Sequence, residues 1–378
     1  MKKHDLSFGF LFLLFLFQSI RVDAQSPIPK PDHIVIAILE SHGYAQLIGS
    51  SAAPYINYLA KDNSSALFSE SYALFHPSQP NYLILFSGNT QGVTSNDIPF
   101  DNPFTTPNLA RQLIDAGKTF ITYSEDLPNV GYNEATSGYY ARKHNPVTNW
   151  MGTGINQVSV TTNQPFTAFP TNNFSSLPTI SFVVPNLEND MHNSSDPDRI
   201  GKGDKWLSNN LDGYIQWAKS HNSLFILTFD EEGQTVENHI LTIITGEHVK
   251  SGLYSDTINH YSVLHTLEKM FGLPYIGNEL TIEPITYCWK DTSAESPSTH
   301  NQSYCSIYPN PTNGEITVEM FYFTGATVEL YNLDGQIIMS SMLESVKTKI
   351  QTNGLSKGVY LLKIRNDIGV TLRKICKN

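Results

Sequence analysis

Segment 75–88 places three polar, reactive side chains in front of a long apolar run. His76, Ser78 and Asn81 stand close together, with a proline on each side of Ser78, and the apolar run 82–86 follows. The prolines stiffen the backbone, and the pattern predicts a turn that leads into a buried helix with Ser78 in its first turn. Because a helix N-terminus concentrates free N–H groups and positive dipole, a serine there could act as a nucleophile towards a bound phosphate.

A second interpretation of Ser78 is purely structural. Serine is a common N-cap residue, so a cap in front of a core helix explains the same residue without any chemistry. The segment alone favours the cap. The choice therefore depends on whether the rest of the chain supplies partners for a nucleophile.

Five further candidate residues follow apolar runs elsewhere in the chain. They are Glu40, Asp190, His192, Asp230 and Glu231. Carboxylate oxygens are the hard ligands that divalent cations bind, so these side chains would form a metal site if they met. The alternative is that polar residues end strands because loops are polar, and for any single run that explanation is sufficient.

The alternation of two sequence patterns predicts a fold that brings these residues together. Nearly continuous apolar runs, typical of parallel strands buried on both faces, alternate with amphipathic stretches of helical length. The runs are 32–40, 119–123, 179–184, 223–229 and 239–244, and the amphipathic stretches include 107–117 and 204–220. This predicts an α/β fold with a doubly wound, mostly parallel sheet. Because ligands bind beyond the carboxyl ends of such strands, the five residues are expected to share one rim.

A group of adjacent cations is the other candidate for phosphate chemistry. Arg142, Lys143 and His144 lie in a region otherwise poor in positive charge, and they could clamp a substrate phosphate. A solvated loop explains the group equally well. His260 stands at the start of a predicted helix, residues 259–274, where it could face the same site.

The charge distribution argues against nucleic acid as a partner. The 378 residues carry a net charge of −11, to which residues 1–24 contribute +1 and residues 305–378 contribute +2, so residues 25–304 carry −14. Contacts with nucleic-acid phosphates need surplus positive charge. If this region acts on a phosphate ester, a metal ion or a few local cations must supply the positive field.

Composition divides the chain into four segments. Residues 1–24 have the lysines, short apolar run and small-residue cleavage site of a secretory signal peptide. Residues 25–290 are expected to form the catalytic domain, and residues 291–304 a linker rich in Ser, Thr, Pro and Glu. Residues 305–378 contain short strand-like segments separated by turn residues, which predicts a small all-β sandwich.

These segments predict a protein that is secreted or held at the cell surface. No stretch after the signal peptide is long and apolar enough for a transmembrane segment. In an exported protein one pair of cysteines could form a disulfide. Cys288, Cys305 and Cys376 allow three pairings, which the sequence does not distinguish.

Six short motifs, in order over residues 32–277, resemble one family of phosphoesterases. They are Ile-Leu-Glu-Ser-His-Gly-Tyr at 38–44, His-Pro-Ser-Gln-Pro-Asn-Tyr at 76–82, Tyr-Ala-Arg-Lys-His-Asn-Pro at 140–146, Val-Pro-Asn-Leu with Asn-Asp-Met-His within 184–192, Thr-Phe-Asp-Glu at 228–231 and His-Tyr-Ser at 260–262. The family holds secreted acid phosphatases of bacteria and fungi and bacterial phospholipases C, within the alkaline-phosphatase-like superfamily. The second motif is most similar to the acid phosphatase branch.

The resemblance implies a role for each candidate residue. Ser78 would be the nucleophile that takes up the phosphoryl group. A divalent metal ion (Ca, Mg, Mn or Zn) would be bound by Glu40, Ser41, Ser78, Asp230 and Glu231. The phosphoryl oxygens or the leaving group would be assisted by Asn81, His144 and His192. A supporting set for substrate binding would comprise His76, Arg142, Lys143, Asp190 and His260.

Two departures from related patterns bear on the chemistry. The family usually has Glu-Asn in the first motif, whereas this chain has Glu40 followed by Ser41. A serine hydroxyl is shorter and a weaker ligand than an amide oxygen, so a change in metal affinity or identity is expected. Sulfatases of the same superfamily need an arginine where this chain has Tyr82, which argues against sulfatase activity.

The C-terminal residues resemble the sorting domain of type IX secretion substrates. The features are Tyr-Pro-Asn-Pro at 308–311 with Asn-Gly at 313–314, Leu-Tyr-Asn-Leu-Asp-Gly at 330–335 and Leu-Ser-Lys-Gly-Val-Tyr at 355–360. The resemblance implies recognition by the secretion machinery of certain Gram-negative bacteria, followed by cleavage or surface attachment.

These observations together predict a secreted, metal-dependent phosphomonoesterase that acts on a small-molecule phosphate ester through a phosphoserine intermediate. The nearest alternative is a phospholipase C or another phosphodiesterase on the same site, which needs a wider and more apolar pocket. An alternative of another class is a non-catalytic surface protein whose β domain is the working part. Six motifs with largely intact reactive side chains argue against it.

Overall fold

The computed structural model describes residues 28–233, 235–290, 305–320, 326–333, 335–343, 345–366 and 369–378. The expected signal peptide, residues 1–24, and the expected linker, residues 291–304, lie outside the described residues. The chain divides into two compact units, Met1–Ser293 and Ala294–Asn378. Each is described by itself.

The first unit is built around a nine-stranded sheet. The strands of this unit, in chain order, are β1 (His33–Leu39), β2 (Ser65–Tyr72), β3 (Phe120–Ser124), β4 (Thr136–Ser137), β5 (Tyr140–Ala141), β6 (Asn163–Pro165), β7 (Ile180–Val184), β8 (Ser223–Phe229), β9 (His239–Gly246), β10 (Gly252–Tyr254) and β11 (Ile258–Asn259). Strands β4 and β5 pair with each other as a separate hairpin, and the other nine form the sheet.

Helices connect these strands. They are α1 (Tyr44–Leu47), α2 (Pro54–Ala60), α3 (Ser78–Ser87), α4 (Leu109–Asp115), α5 (Asp198–Ala218) and α6 (His260–Phe271). Short 3₁₀ turns lie at Arg142–His144, Pro146–Trp150, Val160–Thr162, Phe166–Ala168 and Phe174–Ser176. Within the described residues, no helix combines the length and hydrophobicity that a bilayer span requires.

The strand order is β10-β2-β9-β8-β1-β7-β3-β6, with β11 also paired to β2. Every pair is parallel except the two that β9 makes with β2 and β8. The sheet is therefore mostly parallel, as predicted. The run 239–244 does form a strand, but its reversed direction puts its carboxyl end at the opposite edge of the sheet from Asp230. The residue before this strand, Asn238, lies at the site edge instead, where its Oδ1 accepts the N–H of Glu232 at 2.7 Å.

Both faces of the sheet are covered by helices. Alternate residues of β1 point into two different cores: Ile34, Ile36 and Ile38 into one, and Val35, Ala37 and Leu39 into the other. Helices α3, α4 and α6 contribute to the first core, and α2 and α5 to the second. This arrangement confirms the doubly wound α/β fold, and it explains why the strands read as continuous apolar runs.

The second unit is all β. Its strands are β12 (Cys305–Tyr308), β13 (Glu315–Met320), β14 (Ala326–Tyr331), β15 (Ile337–Leu343), β16 (Lys347–Gln351), β17 (Gly358–Asn366) and β18 (Gly369–Lys377). They form two antiparallel sheets, β12-β13-β16 and β15-β14-β17-β18. One buried core draws Ile316 and Ile350 from the first sheet and Val328 and Leu362 from the second. The predicted small β sandwich is confirmed.

Two of the cysteines carry free thiols in the structure. They are Cys288, which is buried, and Cys376, which is partly exposed. Burial raises the pKa of the Cys288 thiol well above its ordinary value, so this thiol stays protonated. The side chain of Cys305 lies outside the described part of the chain.

Candidate active site

Helix α3 begins at Ser78 and is buried over its whole length. It packs within the core, which explains why its apolar residues show no amphipathic pattern. The helix ends where Gly88 adopts a left-handed φ of 64°. A Cβ at Gly88 would also lie 2.3 Å from the carbonyl oxygen of Ile276. Glycine is therefore required for two reasons, the positive φ and the lack of space for a side chain.

Ser78 does not cap its helix. Pro77 occupies the N-cap position, and no side chain caps the helix. The Ser78 hydroxyl instead donates to the carboxylates of Glu40 (Oε1, 2.7 Å) and Glu231 (Oε1, 3.3 Å). Glu40 directly follows β1 and Glu231 is the second residue after β8, so the rim predicted from the apolar runs exists and includes this serine.

Glu40 lies at the centre of the site. Its Oε1 accepts from Ser78, from His144 Nε2 at 2.8 Å and from Lys143 Nζ at 3.3 Å. Its Oε2 accepts from Ser41 Oγ at 3.1 Å and lies 3.7 Å from His192 Nε2. Burial raises the pKa of the Glu40 carboxyl, but the positive charges of the surrounding histidines and lysine outweigh burial and hold this pKa well below its ordinary value. Glu40 is therefore ionised at any physiological pH.

His144 bridges two buried carboxylates. Its Nε2 faces Glu40, and its Nδ1 lies 3.1 Å from Asp190 Oδ2. The ring stacks on Tyr82 at 5.1 Å between centroids. Burial opposes a charge on the ring, but the two carboxylates raise the pKa of His144 to about 9. The ring is therefore positively charged at neutral pH, and it would release this proton on binding a metal ion.

Asp190 connects its loop to the end of β1 by a backbone hydrogen bond. Its carbonyl oxygen accepts the N–H of Glu40 at 2.8 Å, and its Oδ1 accepts the N–H of His192 at 2.8 Å. Burial raises the pKa of the Asp190 carboxyl, against the lowering effect of His144. This residue thus orients two of its neighbours, and its own side chain is buried.

Asp230 and Glu231 add two more carboxylates. Asp230 Oδ1 accepts the N–H groups of Ser41 at 3.1 Å and Glu231 at 2.7 Å. Its Oδ2 is buried without a hydrogen-bond partner among the described residues. Burial, reinforced by the charge on Glu40, raises the pKa of Asp230 well above its ordinary value. Burial also raises the pKa of Glu231, although His76 Nδ1 lies 2.7 Å from its Oε2 and opposes the rise.

The donor set fits a divalent cation. Glu40, His144 and Asp230 each offer a ligand atom, and these atoms all lie within 4.8 Å of one another. A cation would satisfy the unpaired Asp230 Oδ2 and offset the repulsion between the buried carboxylates. This group includes His144, which was predicted to assist the phosphoryl oxygens or the leaving group. Glu231, predicted as a ligand, instead contacts Ser78 and His76.

Ser41 has the left-handed backbone conformation, with φ of 54°. This conformation is uncommon for a residue with a Cβ and is favourable mainly for glycine and asparagine. It directs the Ser41 N–H to Asp230 and leaves the hydroxyl on Glu40 Oε2. The side chain therefore lies beside the predicted metal ligands, and its backbone is held there by the site.

Three predicted site residues make hydrogen bonds to other groups of the protein. The Asn81 amide pairs with the backbone of residues 74–75 through Oδ1 (3.1 and 3.0 Å) and Nδ2 (2.7 Å). Arg142 is buried, donates from Nε to Asn133 Oδ1 at 2.8 Å, and has its pKa lowered to about 10 by burial. His260 Nε2 lies 2.9 Å from the carbonyl of Phe229, and burial lowers its pKa to about 4, so the ring is neutral.

His42 was not predicted as a site residue. Its ring is fully buried, with Nδ1 2.9 Å from the carbonyl oxygen of Glu40 and Nε2 3.0 Å from Asp196 Oδ1. The bond from Arg199, and further contacts with His42, lower the pKa of Asp196 to about 2 against the effect of burial. Since both ring nitrogens face acceptors, His42 holds the backbone of Glu40 in place. Its position two residues after Glu40 was the available signal, but nothing in the sequence connected it to Asp196.

The Ser78 hydroxyl is directed at a buried carboxylate cluster at the carboxyl edge of a doubly wound sheet. Comparison with known proteins identifies the family. Residues 48–274 match the Phosphoesterase family, and residues 306–378 match the Secretion system C-terminal sorting domain. The chain therefore belongs to the Phosphoesterase family, and its C-terminal unit is a sorting domain of the type IX secretion system. The family match begins after Glu40, Ser41 and His42.

Three relatives illustrate the similarity. Phosphatidylinositol-3-phosphatase from Mycobacterium tuberculosis is 45% identical over 71% of this chain and 86% of its own length. Phosphate-repressible acid phosphatase from Penicillium chrysogenum is 29% identical over 59% of this chain and 55% of its own. An acid phosphatase from Aspergillus fumigatus is 30% identical over 56% and 49%. The chain thus spans about half the length of these two fungal enzymes.

Among solved structures, a protein in the alkaline phosphatase superfamily from Vibrio parahaemolyticus has a TM-score of 0.48 and 12% sequence identity. The alignment covers 92% of this chain and 81% of that protein.

The family match makes this chain a phosphoester hydrolase, and the sorting domain implies the secretion machinery as a partner and export as the destination.

Proposed function

We propose that the first unit is a metal-dependent phosphomonoesterase in which Ser78 is the nucleophile. The observation that carries this proposal is the hydrogen bond of 2.7 Å from the Ser78 hydroxyl to Glu40, within a buried carboxylate cluster. Ser78 is only 2% exposed, so its hydroxyl is shielded from bulk solvent. The named acid phosphatases among the relatives support the reaction class.

Glu40 and Asp230, together with His144 or Glu231, would hold a divalent cation beside Ser78. When bound, such an ion lowers the pKa of the serine hydroxyl and neutralises charge on the ester. The unpaired Oδ2 of Asp230 supports this assignment, because a buried carboxylate oxygen without a partner is costly. Ser41 would contribute through its hydroxyl.

In the proposed first step, Ser78 Oγ forms a bond to phosphorus as the bond from phosphorus to the ester oxygen breaks. The serine proton has two carboxylate acceptors within reach, Glu40 Oε1 and Glu231 Oε1. The leaving oxygen takes a proton from His192, whose side chain is 40% exposed at the mouth of the site. Water then cleaves the phosphoserine, releases phosphate and restores the hydroxyl.

Lys143 and the start of helix α3 are proposed to stabilise the phosphoryl oxygens. Lys143 Nζ lies 3.3 Å from Glu40 Oε1, and its side chain remains partly accessible. The free N–H groups at the start of α3 add positive potential beside Ser78. Asn81 supports these groups indirectly, because its amide fixes the turn that leads into the helix.

A lipid-borne phosphate is a second candidate substrate, favoured by exposed apolar residues near the site. Phe75 precedes His76 and is 45% exposed, and Val236 is fully exposed beside Thr235, whose carbonyl accepts from His76 Nε2 at 3.0 Å. Phe100 is fully exposed in a loop anchored to the start of α3. Such residues could enter a lipid surface. The relative from Mycobacterium tuberculosis, named for a phosphoinositide, supports this candidate.

Parallel assays of four substrates test the proposal. They are p-nitrophenyl phosphate, bis(p-nitrophenyl) phosphate, phosphatidylcholine vesicles, and the same vesicles containing phosphatidylinositol 3-phosphate. The full chain would be assayed with each divalent metal. We expect the monoesters to be hydrolysed and acid quenching to trap phosphate on Ser78. Faster cleavage of the diester or of phosphatidylcholine would replace the proposal by a phosphodiesterase or phospholipase C. Inactivity towards all four from pH 4 to 9 would favour a non-catalytic surface protein.

We also propose the domain boundaries and the route of export. Residues 1–24 would direct the chain across the inner membrane, residues 25–290 would form the catalytic domain, and residues 291–304 would link it to the sorting domain, residues 305–378. Deletion of residues 305–378 in a host with type IX secretion is expected to retain the enzyme inside the outer membrane. Normal surface delivery of the deletion variant would contradict this route.

A further inference from the structure

A cavity of about 150 Å³ opens beside the candidate nucleophile. Gln79, which follows Ser78, forms part of its wall, and so does Lys143, whose Nζ is 3.3 Å from Glu40 Oε1. Two residues of the cavity wall therefore adjoin the catalytic centre, one by sequence and one by contact. Since the cavity is smaller than the roughly 300 Å³ of a typical drug-sized pocket, it accommodates a compact group rather than a whole lipid.

The walls of this cavity are firmly built. The Gln79 side chain donates to the carbonyl oxygens of Ser95 (3.0 Å) and Asp97 (2.8 Å), and this fixes the loop that carries Ile98. On the other side, the hairpin of β4 and β5 provides Thr136, and the backbone N–H of Arg142 donates to the carbonyl oxygen of Ala135, just before β4, at 3.0 Å. A cavity held by these bonds is present before any substrate arrives.

The cavity wall is positively charged, whereas residues 25–304 as a whole carry a net charge of −14. Both Arg142 and Lys143 line the cavity, and none of the described residues that line it is acidic. Arg142 is 1% exposed, and its Nη1 is buried without a hydrogen-bond partner in the described part of the chain. Its Nε and Nη2 donate to Asn133 and Thr148. Because an unpaired buried guanidinium nitrogen is costly, this group is suited to pair with an anion.

We propose that this cavity binds an anionic group on the alcohol part of the phosphate ester. The enzyme would then prefer phosphomonoesters that carry a second negative charge, a carboxylate or a second phosphate. Ile98 and Leu187 in the walls would contact the carbon atoms between the two anionic groups. This inference rests on the proposed phosphomonoesterase function, since the cavity would select among the alcohols that this reaction releases.

Three matched substrates test the preference: phenyl phosphate, 3-carbamoylphenyl phosphate and 3-carboxyphenyl phosphate. Charge-assisted hydrogen bonding predicts a kcat/KM roughly tenfold higher for the carboxylated ester than for the other two. Equal values for the three esters would overturn the inference. Turnover of phenyl phosphate itself tests the proposed function separately: without it the phosphomonoesterase fails, whereas turnover without preference removes only the cavity inference.

Thr136 provides the matched variants, because it lines the cavity and is exposed. Thr136→Glu adds a negative charge to the wall, and Thr136→Gln adds similar bulk without charge. We expect Thr136→Glu to abolish the preference for the carboxylated ester over phenyl phosphate, since the added negative charge repels the carboxylate in the cavity. Thr136→Gln should keep the preference. The same loss in both variants would mean that bulk, and not charge, is responsible, and would overturn the inference.

The second negative charge could come from a soluble bisphosphate or from a phosphoinositide headgroup. Inhibition of 3-carboxyphenyl phosphate turnover by soluble inositol 1,3-bisphosphate and by vesicles containing phosphatidylinositol 3-phosphate distinguishes the two sources. We expect the soluble headgroup to inhibit, and Thr136→Glu to weaken that inhibition roughly tenfold. Inhibition by vesicles alone would locate recognition at the lipid surface and would overturn the role of the cavity.

Discussion

The Ser78 hydroxyl lies 2.7 Å from a carboxylate oxygen of Glu40, which is 38 residues earlier in the chain. The serine begins helix α3 and the glutamate directly follows strand β1, so the contact joins the two elements that define the site edge. Glu40 is kept ionised by the cations around it, and the serine proton therefore points at a negative charge. This relationship distinguishes a reactive serine from a helix cap and leads to the first prediction.

Ser78→Ala should abolish phosphatase activity while leaving the fold intact. The variant removes the only atom of this residue that can attack phosphorus, so we expect kcat to fall on the order of 10³-fold or more. The measurement is kcat for p-nitrophenyl phosphate in the metal-loaded enzyme, with near-ultraviolet circular dichroism to verify packing.

Ser87→Ala is the matched control, because Ser87 is buried at the other end of the same helix. Its hydroxyl donates to the carbonyl of Leu83 at 2.8 Å, so the variant loses a structural hydrogen bond of similar kind. We expect it to keep most of the activity. Retention of more than a few per cent of activity by Ser78→Ala would exclude the serine as the nucleophile.

Asp230→Asn should weaken metal binding. A cation that binds only the native state stabilises it, by ~2.7 kcal/mol at a concentration 100 times the dissociation constant, so added metal should raise the Tm of the wild-type enzyme and chelation should lower it. In the variant the metal-dependent rise should largely vanish, because an amide in place of the carboxyl group cannot offer the metal a negatively charged oxygen. Differential scanning calorimetry with and without metal measures this effect independently of activity.

Asp204→Asn is the control for this experiment. Asp204 is also buried, but its oxygens accept the N–H groups of Tyr55 and Ile56 at the start of helix α2. The variant should lower Tm by a similar amount with and without metal. If Asp230→Asn kept the full metal-dependent rise, the assignment of Asp230 as a ligand would be wrong.

The sequence predicted the sheet because burial on both faces leaves a distinct pattern of continuous apolar runs. The same reasoning located Glu40, Asp230 and Glu231 on one rim, since the ends of parallel strands meet there. It could not predict the reversal of β9, because an antiparallel strand covered on both faces has the same composition as a parallel one. Strand direction depends on the connections, which hydrophobicity does not encode.

The sequence also could not predict the directions in which individual side chains point. Arg142 and Lys143 are neighbours with the same charge, yet one is buried against Asn133 and the other contacts Glu40. The bond between His42 and Asp196 spans 154 residues, and no local pattern connects them. Such contacts depend on loop conformations, which form only when the whole unit has packed.

Ser41→Asn should strengthen metal binding. Asparagine tolerates the left-handed backbone at this position, where φ is 54°, better than serine does, and its amide oxygen is a stronger ligand than a hydroxyl. We expect the metal concentration that gives half-maximal activity to fall about tenfold. Metal titrations of activity and of Tm measure the change.

Ser41→Ala is the comparison for this variant, because it removes the hydroxyl and keeps the Cβ that disfavours the left-handed backbone. It should need more metal than the wild-type enzyme. If Ser41→Asn also needed more metal than wild type, residue 41 would not contribute a ligand, and its role would be limited to the backbone bond with Asp230.

Glu268→Gln should change how the stability of the first unit depends on pH. Glu268 is fully buried in helix α6, where its Oε1 accepts the N–H of Ile276 at 3.2 Å and its Oε2 has no partner among the described residues. Burial raises the pKa of its carboxyl to about 8, although the hydrogen bond from Ile276 opposes the rise. The folded state therefore binds the proton more tightly than the unfolded chain. This contribution to stability is fully present below the unfolded pKa of 4.5 and is lost as pH rises through about 8.

Glutamine keeps the acceptor for Ile276 but does not ionise, so the variant should not lose this contribution. We expect Glu268→Gln and wild type to have similar free energies of unfolding at pH 5, and the variant to be more stable by ~3 kcal/mol at pH 9. Urea unfolding across this range measures the difference. Glu279→Gln, at an exposed glutamate of the same region, should show no such trend. A constant difference between Glu268→Gln and wild type from pH 5 to 9 would show that Glu268 does not titrate in this range.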